Sequence, residues 1–442
     1  MKRLVLLLLV VGCSSSPSTA PATGSLSVTV TAPANVNLHI VVSGPNGFSK
    51  TVTSTTTLTG LAPGSYAIRA PDATATDSIV GTLYHATVAG TPATVAVSTN
   101  AAATVTYTAR IGSGALWLVG GSPSGLNVAN TAIEYTASLL RATSSVAPQL
   151  QLTFPTTSGA NIDASGVAFD AQSNLWVVND NSCTVVEYTV ASLAASGTPT
   201  PAVTIQLPAL SESYAIAFDA NGDLWVGNNI ANNIVEFTPA QLAAGGSLTP
   251  TVTIAEIPPQ PNNLQEPIGL AFDAHGNLWV ANNSASSIVE YTPSQLATSG
   301  SPAPAVTLTG SAINFPNEIA FDHAGNLWIT NSAYADSGGG FHSKGRIVEY
   351  AAQDLAATGT PTPLAVINTP RVSGNSLPTG LAFDDSGNLW FADIAEPAIG
   401  EYSAASLTAG GTASPVVIIT SATAVSGVGI AFNPHTMAVP LH

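Results

Sequence analysis

The chain has 442 residues, 9 of them Lys or Arg and 25 Asp or Glu, for a formal net charge of −16; charged residues make up only 8% of it and hydrophobic ones 45%. This excludes a disordered chain, which needs low hydrophobicity and high charge, and a nucleic-acid binder, which needs a basic face for phosphates. Length suits two or three domains, and abundant Thr, Val, Gly and Pro with only two Met point to an all-β chain.

Lys2 and Arg3 precede an apolar run, Leu4 to Val11, too short to span a bilayer as a helix. The run ends in Val10-Val11-Gly12-Cys13, which resembles the lipobox of a bacterial lipoprotein signal peptide. The resemblance implies removal of residues 1–12 and a thioether from the Cys13 thiol to diacylglycerol. The membrane is then a partner through that lipid, and the protein is anchored in the cell envelope, at the outer membrane or cell surface; Ser14, in place of Asp, favours the outer membrane. An ordinary secretory signal with an incidental Cys is the alternative. Residues 13–24, rich in Ser, Pro, Ala and Thr, read as a tether. An acylated Cys13 leaves Cys183 without a disulfide partner, as a small buried hydrophobe or, less often, a reactive thiol.

Residues 25–110 alternate in period two. Ser25–Thr31, Asn37–Val42, Ala93–Val97 and Thr104–Tyr107 read as strands, and Gly44-Pro45-Asn46-Gly47 as a turn. Gly60-Leu61-Ala62-Pro63-Gly64-Ser65-Tyr66 resembles a signature of bacterial Ig-like or prealbumin-like sandwiches, which implies a β-sandwich with Tyr66 packed inward. The segment is sandwich-sized and carries no cluster of chemical groups, so it reads as a spacer or adhesive module.

From about residue 114 to 440 one unit recurs. A phrase of the form Gly-aliphatic-Ala-Phe-Asp stands at Gly166–Asp170, Gly269–Asp273 and Gly380–Asp384, with variants at Ala215–Asp219, Glu318–Asp322 and Gly429–Asn433. Leu-Trp-aliphatic carries all six Trp: Trp117, Trp176, Trp225, Trp279, Trp328 and Trp390. In the fourth unit Ile268–Asp273, Asn277–Ala281, Ser287–Thr292 and Ala305–Leu308 read as strands A to D. Gly276 supplies the A–B hairpin turn, and Thr292-Pro293-Ser294-Gln295 opens a capped helical turn, as does Thr238-Pro239-Ala240-Gln241. Radial repetition of four antiparallel strands makes a β-propeller. Leu116-Trp117 is a strand B with no strand A before it, and Gly429–Phe432 is a strand A with no Trp after it. Together they form a sixth, shared blade that closes the ring. The expected fold class is all-β: an N-terminal sandwich followed by a six-bladed propeller closed by strands from both ends.

Pro267-x-Gly269-Leu-Ala-Phe-Asp273-x-x-Gly276-Asn277-Leu-Trp279-Val-Ala-Asn282 and its echoes resemble the NHL and gluconolactonase-like (SMP-30) propellers. In this architecture the D–A and B–C loops share one face, and the A–B and C–D turns the other. His275 and His323 therefore fall on the turn face. Asn179, Asp180, Asn228, Asn229, Asn282, Asn283, Asn331, Asp393, Glu266, Asn317 and Glu318 fall at the opposite channel mouth. Hard oxygen ligands there suit Ca²⁺ or Mg²⁺, and Glu318 stands out because it replaces the Gly of most repeats; equally, the Asn residues suit turn capping. An insertion over 331–346 adds Tyr334, Asp336, Phe341, His342 and Arg346, either as a binding loop or as a solvated surface loop.

The leading reading is a lipid-anchored envelope binding or scaffold protein. Its upper propeller face, through Tyr334, Asp336, Phe341, His342, Arg346, Asn228 and Asn282, takes a carbohydrate, peptide or protein partner, an unidentified envelope or extracellular ligand. The alternative, implied by resemblance to gluconolactonase-like and streptogramin-lyase-like enzymes, is a Ca²⁺- or Mg²⁺-dependent hydrolase or lyase. It would use Glu318, Asn317, Asn282 and Asp393 as metal ligands and His342 as acid/base. Thr379 in Pro378-Thr379-Gly380 stands where the lactonase phrase has Asp.

Overall fold

The computed structural model describes residues 22–32, 36, 38–71, 73–74, 83–109, 115–121, 131–136, 139–141, 144–154, 164–180, 182–207, 213–255, 264–331, 334–335, 341–342, 345–369, 376–384, 386–394, 398–407, 414–421 and 426–433. The signal segment, Cys13 and Asp336 lie outside them. The described residues divide into two compact units, one of those up to Thr108 apart from Leu83, the other of Leu83 and those from Ala109 on. Among them no helix is long and apolar enough to cross a membrane.

The first unit is two sheets face to face. One runs Thr56–Leu61, Gly24–Thr31, Asn100–Ala109, Leu83–Ala89, Ala73–Thr74; the other Ser49–Val52, Ile40–Ser43, Gly64–Arg69, Ala93–Val95. Alternate residues of both, among them Leu26, Val28, Val42, Leu58, Ile68 and Val105, form one core, as period-two patterning requires. The strands begin at Gly24 and Ile40 rather than Ser25 and Asn37, and two are longer or shorter than the alternation suggested. Tyr66 is buried, and its hydroxyl donates to the Ala62 carbonyl four residues back (2.9 Å).

The second unit holds six sheets of four antiparallel strands, two of them extended by a short parallel fifth strand. Blades two to six have inner strands A at Ala164–Phe169, Ser213–Phe218, Pro267–Phe272, Pro316–Phe321 and Pro378–Phe383, each followed by B, C and D. The first blade takes strand A, Ser426–Phe432, from one end of the repeat and B, C and D, Leu116–Gly121, Thr131–Tyr135 and Leu150–Thr153, from the other. Leu116 pairs with Phe432 and Leu118 with Ile430. The ring is a six-bladed β-propeller closed by a shared blade.

Aromatic packing follows the same ring. Each Trp of strand B meets, edge to face, the Phe that ends strand A of the next blade: Trp117–Phe169, Trp176–Phe218, Trp225–Phe272, Trp279–Phe321, Trp328–Phe383 and Trp390–Phe432, at 5.9 to 6.3 Å. Such pairs contribute about 0.5–1.5 kcal/mol each beyond area burial. The Asp after that Phe is a hydrogen-bond hub. Asp273 accepts the N–H groups of His275 and Asn277 on Oδ1, and Asn277 Nδ2 and Trp279 Nε1 on Oδ2. In the same pattern the hub Asn reaches the C–D connection, Asn174 accepting from Val190, Asn326 from Ala352 and Asn388 from Ala404.

Outer edges are clasped. The Ser-Gly or Thr-Gly pair in one blade's C–D loop bonds to strand D of the blade before it. Gly197 bridges Leu152, Gly300 bridges Ile254 and Gly359 bridges Leu308, while Ser196, Ser299 and Thr358 accept the N–H groups of Gln151, Thr253 and Thr307. Gly246–Ser247 and Ser144–Val146 do the same as short parallel strands. Open edges that would otherwise template association are thereby paired. The helical turns carry their caps: Thr238 and Thr292 each form a capping box with Gln241 and Gln295.

Candidate functional site

Strand A carries a register shift just after its first residue in blades two to six. A bulge re-aims the next side chain, and here that second residue lines the channel: Ser165, Tyr214, Ile268, Asn317 and Thr379. The residue just past strand B joins them, Asn229, Asn283 and Ile394. Glu266 and Glu318 complete a cavity of about 300 Å³ at the mouth formed by the D–A and B–C loops.

The third residue of strand A faces the next blade's backbone. A Cβ on Gly166, Gly269 or Gly429 would collide with the carbonyl oxygens of Tyr214, Asn317 or Ser165. Glu318 occupies this position in the fifth blade. Its backbone N–H donates to Thr330 Oγ1 (2.9 Å), and Thr330 Oγ1 in turn donates to Thr379 O (3.1 Å). One carboxyl oxygen accepts the Ile319 N–H at 3.1 Å. Surrounding channel wall pushes the Glu318 carboxyl up to about 8, a shift only partly opposed by that N–H. Glu318 is one of the residues that line the cavity.

The rim is held by a repeated latch. The B–C turn residue with positive φ, Asn232 or Ser286, accepts the N–H of the D–A residue entering the next blade, Glu266 (2.8 Å) or Phe315 (3.3 Å). Glu266 (φ 54°) and Phe315 (φ 49°) are themselves left-handed and each precedes Pro. Extended backbone is favoured before Pro, so this is stored strain, a feature that clusters at binding sites. Cys183, half-buried and at φ 50°, has the matching place in the second blade.

The amides expected at the mouth separate into two layers. Asn179, Asn228, Asn282, Asn331 and Asp393, the last residues of strand B, are buried. They tie their own blade's D–A segment and strand C together. Asn228 accepts from Ser213 and donates to Asn233; Asn282 accepts from Gln265 and donates to Ser287; Asp393 accepts from Ser376 and Leu377. Asn228, Asn282 and Asp393 are thus structural ties beneath the cavity and not part of its lining. Asn229 and Asn283, one residue on, line it.

Of the four metal ligands implied by the gluconolactonase-like resemblance, only Glu318 and Asn317 face the cavity. Asn282 and Asp393 are held in the layer beneath, and Asn317 Oδ1 already accepts from Asn283 (3.3 Å). Among the described residues no three His, Cys, Asp or Glu side chains are grouped to hold a metal ion. Tyr334–Ala335 and Phe341–His342 form a two-stranded ribbon, with Tyr334 opposite His342, but the side chains of Tyr334, Phe341 and His342 lie outside the described residues, as does Asp336. Arg346 opens strand C of the fifth blade, opposite Asn331.

A larger cavity, about 600 Å³, lies on the opposite face between the A–B turns of blades two to four, lined by Phe169, Phe218, Phe272, Gln172 and Leu242 among others. Its Asp170, Asp219 and Asp273 carboxylates are committed to their own turns. It is a hollow between hubs that Glu187 also lines, its carboxyl raised by burial and by neighbouring Asp170. His275 sits in this A–B turn region, as expected.

No family model and no curated protein matches the chain. Its fold is similar to solved propellers. Virginiamycin B lyase from Staphylococcus aureus with quinupristin is 15% identical over 59% of this chain and 72% of that one, with a TM-score of 0.40. A chain of the nidogen/laminin complex is 12% identical over 72% and 97%, at 0.47. A protein of unknown function from Bacteroides caccae is 14% identical over 72% and 97%, at 0.46. At these values the similarity concerns the fold alone.

Proposed function

We propose that the chain is a lipid-anchored cell-envelope binding protein that holds a small ligand in the propeller's channel mouth. The observation that carries this reading is the 300 Å³ cavity, with Tyr214 and Asn317 from strand A and Asn229 and Asn283 from the B–C turns. Pockets of this size with a few placed polar groups are usual small-ligand sites. The loops around it are pinned by the Asn232–Glu266 and Ser286–Phe315 latches, so the cavity is preformed and binding orders little. Cys13 and the run before it support the anchor; the sandwich, with Tyr66 turned inward, supports an Ig-like or prealbumin-like spacer between anchor and propeller in the sequence. A partner engaged by the 331–346 insertion would extend the same face.

The test is a small-molecule screen by ligand-observed NMR on the purified protein, beside Asn283→Ala and, on the other face, Gln172→Ala. Hits should be lost in Asn283→Ala and kept in Gln172→Ala. Hits unaffected by Asn283→Ala would remove the mouth from the reading. A melt with EDTA and then millimolar Ca²⁺ or Mg²⁺ tests the metal-dependent hydrolase or lyase alternative. An ion at 100 times its Kd stabilises by about 2.7 kcal/mol, and absence of any shift would set that alternative aside.

A further inference from the structure

We propose that the channel mouth takes a small organic ammonium ion, a protonated primary amine on a short apolar body. The inference rests on the reading of the mouth as a ligand site and names the ligand class.

It follows from which way the amides face. A backbone carbonyl only accepts, so the side-chain atom bonded to it must be the amide nitrogen. Asn283 Nδ2 donates to Pro316 O (3.1 Å) and to Asn317 Oδ1 (3.3 Å). Asn317 Nδ2 donates to Pro378 O (3.4 Å). Both amides thus spend their donors on the wall and leave Asn283 Oδ1 and the second lone pair of Asn317 Oδ1 without a donor. Glu318 spends one carboxyl oxygen on Ile319 N–H and keeps the other. Glu266 is joined to this chain through its backbone, its carbonyl accepting from Asn283 N–H (3.1 Å), and its side chain lines the same cavity.

The mouth therefore presents oxygens from Glu266, Asn283, Asn317 and Glu318, with Asn229 as the one amide that makes no side-chain hydrogen bond among the described residues. Among the described residues no Lys, Arg or His lines the cavity. The excess of oxygens over donors favours a ligand that donates. An ammonium group has three donors and no acceptor, and a cation beside Glu318 favours its carboxylate form. Ile268, Ile394 and the Tyr214 ring supply an apolar wall, and an aromatic face attracts an organic cation. The cavity, about 300 Å³, has room for a short alkylamine. A formal net charge of −16 draws cations toward the protein.

The experiment is a titration of the full chain with n-butylammonium, with n-butanol as neutral isostere, methyl glucoside as polyol and Ca²⁺ as inorganic cation. Butylammonium should bind at least tenfold more tightly than butanol. Glu318→Gln should weaken it at least tenfold. Asn283→Asp, which keeps an oxygen at the same place, should bind at least as well as the parent, and it keeps the proposal testable if Glu318→Gln fails to fold. Butanol or methyl glucoside binding as tightly as butylammonium would overturn the ammonium assignment while leaving a ligand site. Ca²⁺ displacing the amine at lower concentration than the amine itself requires would assign the oxygens to an inorganic ion instead. Absence of any binding at the mouth would remove both this inference and the reading beneath it.

Discussion

Trp117 and Asn433 stand where the other five blades carry a Trp–Asp hydrogen bond, and among the described residues neither the indole N–H nor the Asn433 side-chain amide has a partner. The pair lies at the seam where the ring closes. Asn433 N–H donates to Ala115 O, as Asp273 N–H donates to Asn277 O, so Ala115 and Asn433 occupy the places of the hub Asn and Asp. Closing the ring with strands from two ends of the repeat has cost this blade its hub.

Restoring the hub acid should therefore stabilise the ring. Asn433→Asp replaces the amide nitrogen, which cannot accept, with a second oxygen, as in the other hubs, and relieving a buried unsatisfied donor contributes about 1 kcal/mol. A thermal melt should move upward. A downward shift would mean that the buried Glu134, directly opposite Trp117 in the ladder, does not tolerate a second carboxylate there.

Removing an intact hub should do the reverse. Asp273→Ala strands the buried N–H groups of Asn277 and Trp279 together with two turn amides. The expected loss is roughly 2–4 kcal/mol, read by urea denaturation. A loss below about 1 kcal/mol would show that the hubs are incidental to blade stability.

Stability should fall as pH rises from 5 to 8. Strand C carries Glu134, Glu187, Glu236, Glu290, Glu349 and Glu401 at one position, each paired with a Trp of strand B. Burial raises all six, to about 7 for Glu134, Glu236, Glu349 and Glu401. A hub Asp adds to the effect at Glu187, Glu290, Glu349 and Glu401, and Asp223 then Asp219 at Glu236. With the folded value above the unfolded one, the folded state holds more protons. The stabilisation is full below about 4.5 and is lost as pH rises through about 7. Melting temperatures across this window should decline, and less steeply in Glu236→Gln. A rise from pH 5 to 8 would contradict the assignment.

Tyr291→Phe should be close to neutral. The Tyr291 hydroxyl is buried and makes no hydrogen bond among the described residues, and the third blade carries Phe237 at the same ladder position, opposite Leu224 as Tyr291 is opposite Leu278. Stability within about 0.5 kcal/mol of the parent, or above it, is expected. A loss above about 1 kcal/mol would assign that hydroxyl a partner.

The ring was legible in the sequence because its Trp and Phe–Asp phrases recur in phase, and the phase of the incomplete units disclosed the shared blade. Glu318 was legible as the exception to a Gly that close backbone approach demands. The layer of the amides was not. Asn228 and Asn229 are adjacent, yet Asn228 still sits in the ladder opposite Ser213 and Asn233, so its side chain is captured inside the blade, while Asn229 has left the ladder and turns to the cavity. The wall residues Ser165, Tyr214, Ile268 and Thr379 differ in size and polarity, and only the bulge before them aims them inward. The Ser-Gly clasps read as loop, because each partner strand lies some 45 residues earlier, in another blade.

The most direct measurement is an NMR titration of the protein with n-butylammonium, following the Tyr214 ring, assigned through Tyr214→Phe, and the six Trp indole N–H signals. Tyr214 lines the mouth and Trp176 the opposite cavity. The account predicts that the Tyr214 signal shifts while all six indole signals stay in place. A shift of the Trp176 indole with Tyr214 unmoved would place the ligand on the other face and contradict it.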